Sequence, residues 1–178
     1  MNKTRGIIVF GANGSGKTTL ARELANLLGF KHMDIEDYFF EPSEIPYTAK
    51  RPREDFLNLM LADIERHGSF VISAVTGDLG EKIPLMYDLG VFIYAPKEIR
   101  MNRIEQRGLE MHGARVCKGG DMYEQQQRFM DFAANRPLEK IDEWAKTLTC
   151  PVVSIDGTAD RHRSAAKIAN HFRDKIIS

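Results

Sequence analysis

Residues 11–18 read Gly11-Ala12-Asn13-Gly14-Ser15-Gly16-Lys17-Thr18: glycines spaced among small residues, then a lysine and a hydroxyl. Glycines there let the backbone curl until successive N–H groups point inward and cradle phosphate oxygens. A helix beginning near Lys17 adds its positive dipole end at the same place. Lys17 then reaches the β- and γ-phosphates, and the Thr18 hydroxyl ligates magnesium. The spacing G-x-x-x-x-G-K-[ST] is met at every fixed position. It follows an apolar tetrad, Ile7–Phe10, and precedes leucines at helical spacing, which is the context this motif requires. Gly11, Asn13, Gly14, Ser15, Gly16, Lys17, Thr18 and Thr19 are therefore the candidate ATP-binding set. The motif names a nucleoside triphosphate but not its fate. A guanine-reading switch protein needs an Asn-Lys-x-Asp segment, which does not occur, and 178 residues are few for a large mechanical ATPase.

Carboxylates follow in Asp34-Ile35-Glu36-Asp37, just past a weak apolar segment at Phe30–Met33. Asp34 falls at the carboxyl edge of that segment, where ligands of open parallel sheets bind. There it could hold magnesium or accept the proton of an attacking hydroxyl. Glu36 is a candidate substrate-binding residue, and Asp37 reads as a solvated loop acid. Ser73 stands where many phosphate-loop proteins carry an aspartate for a magnesium-bound water, which shifts the metal burden toward Asp34 and Glu36. Arg100, Arg103 and Arg107 are spaced to share one helix stripe. With Arg115 they suit the charge that phosphoryl transfer spreads over equatorial oxygens. A salt-bridged surface helix using Glu98 and Glu105 is the plainer alternative. Lys50, Arg51 and Arg53 suit an anionic acceptor, or equally a solvated helix start. The five histidines show no metal-ligand spacing, and Trp144 reads as packing.

These residues need a frame. Ile7–Phe10, Phe70–Ile72, Val91–Tyr94 and Val152–Ile155 are continuous apolar runs without alternation, the pattern of strands buried on both faces of a parallel sheet. Between them, Leu20/Leu24/Leu27/Leu28, Phe56/Leu59/Met60/Ile64 and Ala165/Ile168/Ala169/Phe172/Ile176 repeat at helical spacing. The alternation predicts a doubly wound α/β fold with five parallel strands and helices on both faces. Residues 37–55, with three prolines, and 108–121, with four glycines, break the rhythm and read as irregular functional loops. The whole of 1–178 reads as one domain, with 37–66 an insertion and 108–121 a lid.

Twenty-five basic and 25 acidic residues give zero formal net charge, which argues against a nucleic-acid coat or an anionic-membrane binder. No apolar run approaches the ~20 residues of a membrane span, and the basic Met1-Asn2-Lys3-Thr4-Arg5 start is not followed by the apolar stretch expected of a signal peptide. Cys117 and Cys150 form neither a disulfide framework nor a metal site. The expectation is a reduced, cytoplasmic monomer or homodimer.

On these motifs the chain resembles the nucleoside-monophosphate kinase and shikimate kinase superfamily of P-loop proteins, and especially small adenylate-kinase-related "AAA-type ATPases" of undefined substrate. The resemblance is carried by Gly11–Thr18, the Arg100/Arg103/Arg107 helix, Gly119–Glu124 and Ile155-Asp156-Gly157-Thr158. It implies a P-loop NTPase fold in which the segment at Gly157 contacts adenine, lid arginines grip the phosphoryl group, and 37–66 binds the acceptor. Asp34-Ile35-Glu36 is similar to the Asp-x-Asp of shikimate kinases. Ser73-Ala74-Val75-Thr76-Gly77 departs both from the Asp-Gly-Phe-Pro-Arg of adenylate kinases and from the triple glycine of shikimate kinases. The implied activity is transfer of the γ-phosphoryl of Mg·ATP to a small-molecule acceptor, with a slow regulatory ATPase as the alternative.

Overall fold

Residues 4–174 are described in a computed structural model. The basic Met1-Asn2-Lys3 start and Ile176 lie outside the described residues. Five parallel strands form one sheet: β1 (Gly6–Phe10), β2 (Lys31–Asp34), β3 (Phe70–Ala74), β4 (Tyr87–Tyr94) and β5 (Val152–Asp156), in the order β2-β3-β1-β4-β5. β1 and β3 are buried along their whole length, as their unbroken apolar runs predict.

Side chains of β1 alternate between two cores. Ile7 and Val9 meet α1 (Lys17–Leu28) and α7 (Arg161–Phe172) through Leu20, Leu24, Ile168 and Phe172. Ile8 and Phe10 meet α3 (Arg53–His67) and α6 (Glu139–Ala145) through Met60, Ile64, Ile141 and Trp144. Helices thus cover both faces, and the edge strands frame them.

Several expectations need correction. β5 is an edge strand whose residues alternate between exposed and half-buried, so its apolar run is not doubly buried. Leu27 and Leu59 turn to solvent, because each apolar face is narrower than the leucine spacing suggested. Residues 108–121 are not irregular throughout: α4 (Lys97–His112) continues through Gly108, and a 3-10 turn follows at Gly113–Val116. Gly108 lies inside that helix, and the Gln126 amide packs where its Cβ would stand. That amide comes from α5 (Tyr123–Asn135). Residues 37–55 contain the end of a short helix, α2 (Ile35–Phe39), and an isolated antiparallel bridge between Phe40 and Lys50 before α3 begins after Pro52.

Candidate active site

The phosphate loop joins β1 to α1. Gly14, at φ 79°, sits against the Arg100 carbonyl oxygen, where any Cβ would collide, so neither the backbone angle nor the space admits another residue. Gly16 caps α1 without a side-chain hydrogen bond, leaving the first helical N–H groups without a capping side chain. Ser15 Oγ and Asn13 Oδ1 are buried with no hydrogen-bond partner. Orphaned polar atoms beside a helix N-terminus fit a polar ligand. Lys17 is half-buried, with Nζ donating to the Ala12 carbonyl at 2.8 Å. Burial pulls its ammonium down to about 8; Glu36 and Asp34 oppose the shift, while Arg107 and Arg136 add to it.

Thr18 Oγ1 donates to Asp34 Oδ2 at 2.8 Å, while Asp34 Oδ1 caps α2 by accepting from the Glu36 N–H at 3.1 Å. A hydroxyl beside a carboxylate offers the hard oxygen donors that magnesium takes, with nucleotide phosphates and waters completing its shell. These residues fit the metal. Ser73 lies next to Asp34 in the β2–β3 register and is buried, with Oγ 3.1 Å from His32 Nε2. Burial lowers the His32 pKa. Burial also raises the Glu36 pKa, with the Asp34 charge adding to the effect and Arg107 and Lys17 opposing it.

Two cavities adjoin this centre. The larger, about 610 Å³, is bounded by Lys17, Thr18, Thr19, Arg103, Gly157 and Asp160. The smaller, about 230 Å³, is bounded by Glu36, Phe40, Tyr47, Gln126 and Phe129. Arg107 and Ile104 line both. Arg107 has no hydrogen-bond partner among the described residues, and it stands where the two spaces meet.

The other sequence-selected arginines have protein partners. Arg103 donates to the Ser15 carbonyl at 3.2 Å and to the Gly157 carbonyl at 2.8 Å, tying the phosphate loop to the turn after β5. Arg100 is buried and donates to the Asn13 and Ala95 carbonyls. Arg100 and Arg103 are thus held by backbone carbonyls. Arg51 donates to the carbonyls of Asp37, Tyr38 and Phe40. Arg53 donates to the Asp78 carbonyl, and Arg115 pairs with Asp121 at 2.8 Å on the surface. Sequence reasoning missed Arg136, whose buried Nε has no partner and whose charge acts on Lys17. It also missed Tyr47 and Gln126. Each is a single residue in an unpatterned segment, so spacing carried no signal for it.

A family model described as an AAA domain matches residues 7–131, more than half of the chain. The chain belongs to that family. The family member is 28% identical to an uncharacterized protein, YqaC, of Bacillus subtilis, over 94% of this chain and 97% of that one. It is 30% identical to a cytidylate kinase of Ignicoccus hospitalis over 57% of this chain and 63% of that one. Among solved structures, a shikimate kinase from Acinetobacter baumannii in complex with shikimate superposes with TM-score 0.57 at 18% identity, covering 98% of this chain and 96% of that one. A sugar kinase from Janibacter sp. superposes with TM-score 0.54 at 17% identity, covering 94% and 93%. At those identities the likeness is one of fold alone.

Proposed function

We propose that this protein is an ATP-dependent phosphotransferase that moves the γ-phosphoryl group of Mg·ATP to a small-molecule acceptor. The observation that carries the reading is the meeting of two cavities at Arg107, with Lys17 on the larger side and Glu36 on the smaller. An ATPase without an acceptor needs only the first cavity. ATP occupies the larger space, its phosphates on the loop from Gly11 to Thr19 and its base toward Gly157. Thr18 and Asp34 hold magnesium, which when bound neutralises charge developing on the phosphates.

Lys17 and Arg107 bind the transferring group, and Glu36 takes the acceptor proton because it lines the acceptor space whereas Asp34 is tied to Thr18. Residues 37–66 form the acceptor region of a single-domain enzyme. Residues 113–121 form the moving part of the lid, and Arg115 enters only when Asp121 releases it. Arg103 orients the phosphate loop, and Arg51 and Arg53 hold the acceptor region in shape. The free cysteines, Cys117 and Cys150, suit a reducing cytoplasm. Among the described residues no helix is long and apolar enough to cross a membrane.

A slow regulatory ATPase is favoured by one feature, the neutral Ser73 hydrogen-bonded to His32 in place of a metal-water aspartate. The test is ADP release from Mg·ATP across a panel of nucleoside monophosphates, ring alcohols and sugars, with Lys17→Ala as control. Acceptor-stimulated release that Lys17→Ala abolishes supports the kinase. Release that no acceptor stimulates leaves the regulatory ATPase, and release unchanged in Lys17→Ala removes both.

A further inference from the structure

The smaller cavity differs from what a phosphorylated acceptor requires. A phosphate monoester carries about −1.5 to −2 charges at neutral pH and calls for clustered cations. The basic residues of the acceptor region do not supply them. Arg51 is bonded to three backbone carbonyls and Arg53 to the Asp78 carbonyl. Arg136 is not among the residues that bound this cavity. What remains is Arg107, which also lines the nucleotide space and faces the Glu36 carboxylate, together with the His112 imidazole. One guanidinium shared with the transferring group and opposed by one carboxylate, plus a single imidazole, make no cluster of cations for an acceptor phosphate.

The walls carry a second message. Phe40, Tyr47, Phe129 and Met122 give them an aromatic and thioether side, with Gln125, Gln126 and His112 as polar groups beside it, and Phe40 stands edge-on to Tyr47 with ring centroids 5.4 Å apart. Tyr47 holds φ at 65°, the one left-handed backbone among the described non-glycine residues. A bulky residue keeps such a conformation at an energetic cost, and strain of this kind clusters at ligand clamps. The volume limits the occupant as well. An apolar cavity of about 150 Å³ binds benzene, so about 230 Å³ has room for one substituted ring.

We propose that the acceptor is an uncharged alcohol built on a single, largely apolar ring, seated against Tyr47 and Phe40 with its hydroxyl at Glu36. This rests on the kinase reading above. In the transfer, the acceptor oxygen forms a bond to the γ-phosphorus while the bond from that phosphorus to the β,γ-bridging oxygen breaks. The hydroxyl proton passes to the Glu36 carboxylate, ADP leaves, and the product is a phosphate monoester.

The test uses the full chain with Mg·ATP and follows phosphate esters by ³¹P NMR. Pyridoxine and 4-hydroxybenzyl alcohol are set against AMP, CMP and shikimate. The expected result is kcat/KM at least about tenfold higher for a ring alcohol than for any of the anions. Tyr47→Gly should raise the KM for that alcohol by roughly tenfold while the melting temperature stays within about 3 °C, because glycine adopts this backbone without strain. Tyr47→Phe should restore the KM to within about twofold, since the ring is kept. Transfer confined to the monophosphates or shikimate would overturn the acceptor class and leave the kinase standing. So would a KM that Tyr47→Gly does not move. ADP release that no compound stimulates would overturn the kinase reading itself, and the acceptor class with it.

Discussion

Burial draws the Lys17 ammonium down to about 8, whereas a triphosphate seated against it favours the protonated form. Binding must therefore take up a proton near that pH, and affinity must fall as pH rises through about 8 and the empty site loses its charge. Titration calorimetry of ATP binding at pH 8, in buffers of differing ionisation enthalpy, should show net uptake that disappears in Lys17→Ala. An enthalpy independent of buffer would mean that Lys17 keeps its charge throughout. The two carboxylates separate in the same way. Asp34→Asn keeps one acceptor oxygen beside Thr18 but removes the charge, so Mg·ATP should bind more weakly and be partly rescued by added magnesium. Glu36→Gln should instead lower transfer by roughly the 10²–10⁴-fold of a lost proton acceptor, with ATP affinity little changed. Identical behaviour of the two variants in fluorescent-nucleotide binding and in turnover would refute the division.

Among the elements, α4 connects the two cavities most directly, with Arg103 and Arg107 toward the larger one and Gly108 beneath the Gln126 amide. A Cβ on Gly108 would stand 2.7 Å from Gln126 Nε2, the far end of a flexible side chain that can swing away. Alanine is also the better helix former by about 0.5–1 kcal/mol. Gly108→Ala should therefore melt no lower than the parent, yet change acceptor KM several-fold by moving a group that lines the smaller cavity. A drop in melting temperature with unchanged KM would make Gly108 a packing glycine only. Such a residue shows how far sequence reasoning reaches. Gly11–Thr18 was legible because its chemistry is local, and β1 and β3 because burial on both faces leaves an unbroken apolar run. Gly108 was taken for a loop because the side chain that explains it arrives on α5. Arg51 and Arg53 were given to an anion because their carbonyl partners lie 11 to 25 residues away. The β5 run carried no mark of its place at the edge.

For the molecule as a whole, the strand order decides more than where ligands sit. β1 comes first in the chain and lies in the middle of the sheet, and its neighbours are Phe70–Ala74 on one side and Tyr87–Phe92 on the other. During synthesis the strand that carries the phosphate loop therefore has nothing to pair with until about 60 further residues have been added. Loop closure of that length must precede any stabilising contact, so folding is governed by distant pairings and should be slow for a chain of this size. Ile7–Phe10 waits meanwhile as an exposed apolar tetrad, the kind of segment that chaperones bind and that aggregates when growth stalls. A fragment ending at His67 should give no cooperative melt and no nucleotide binding, although it contains every residue from Gly11 to Thr19 and both candidate carboxylates. The same assay on a fragment ending at Pro96, with β1 paired on both sides, should give the first cooperative transition.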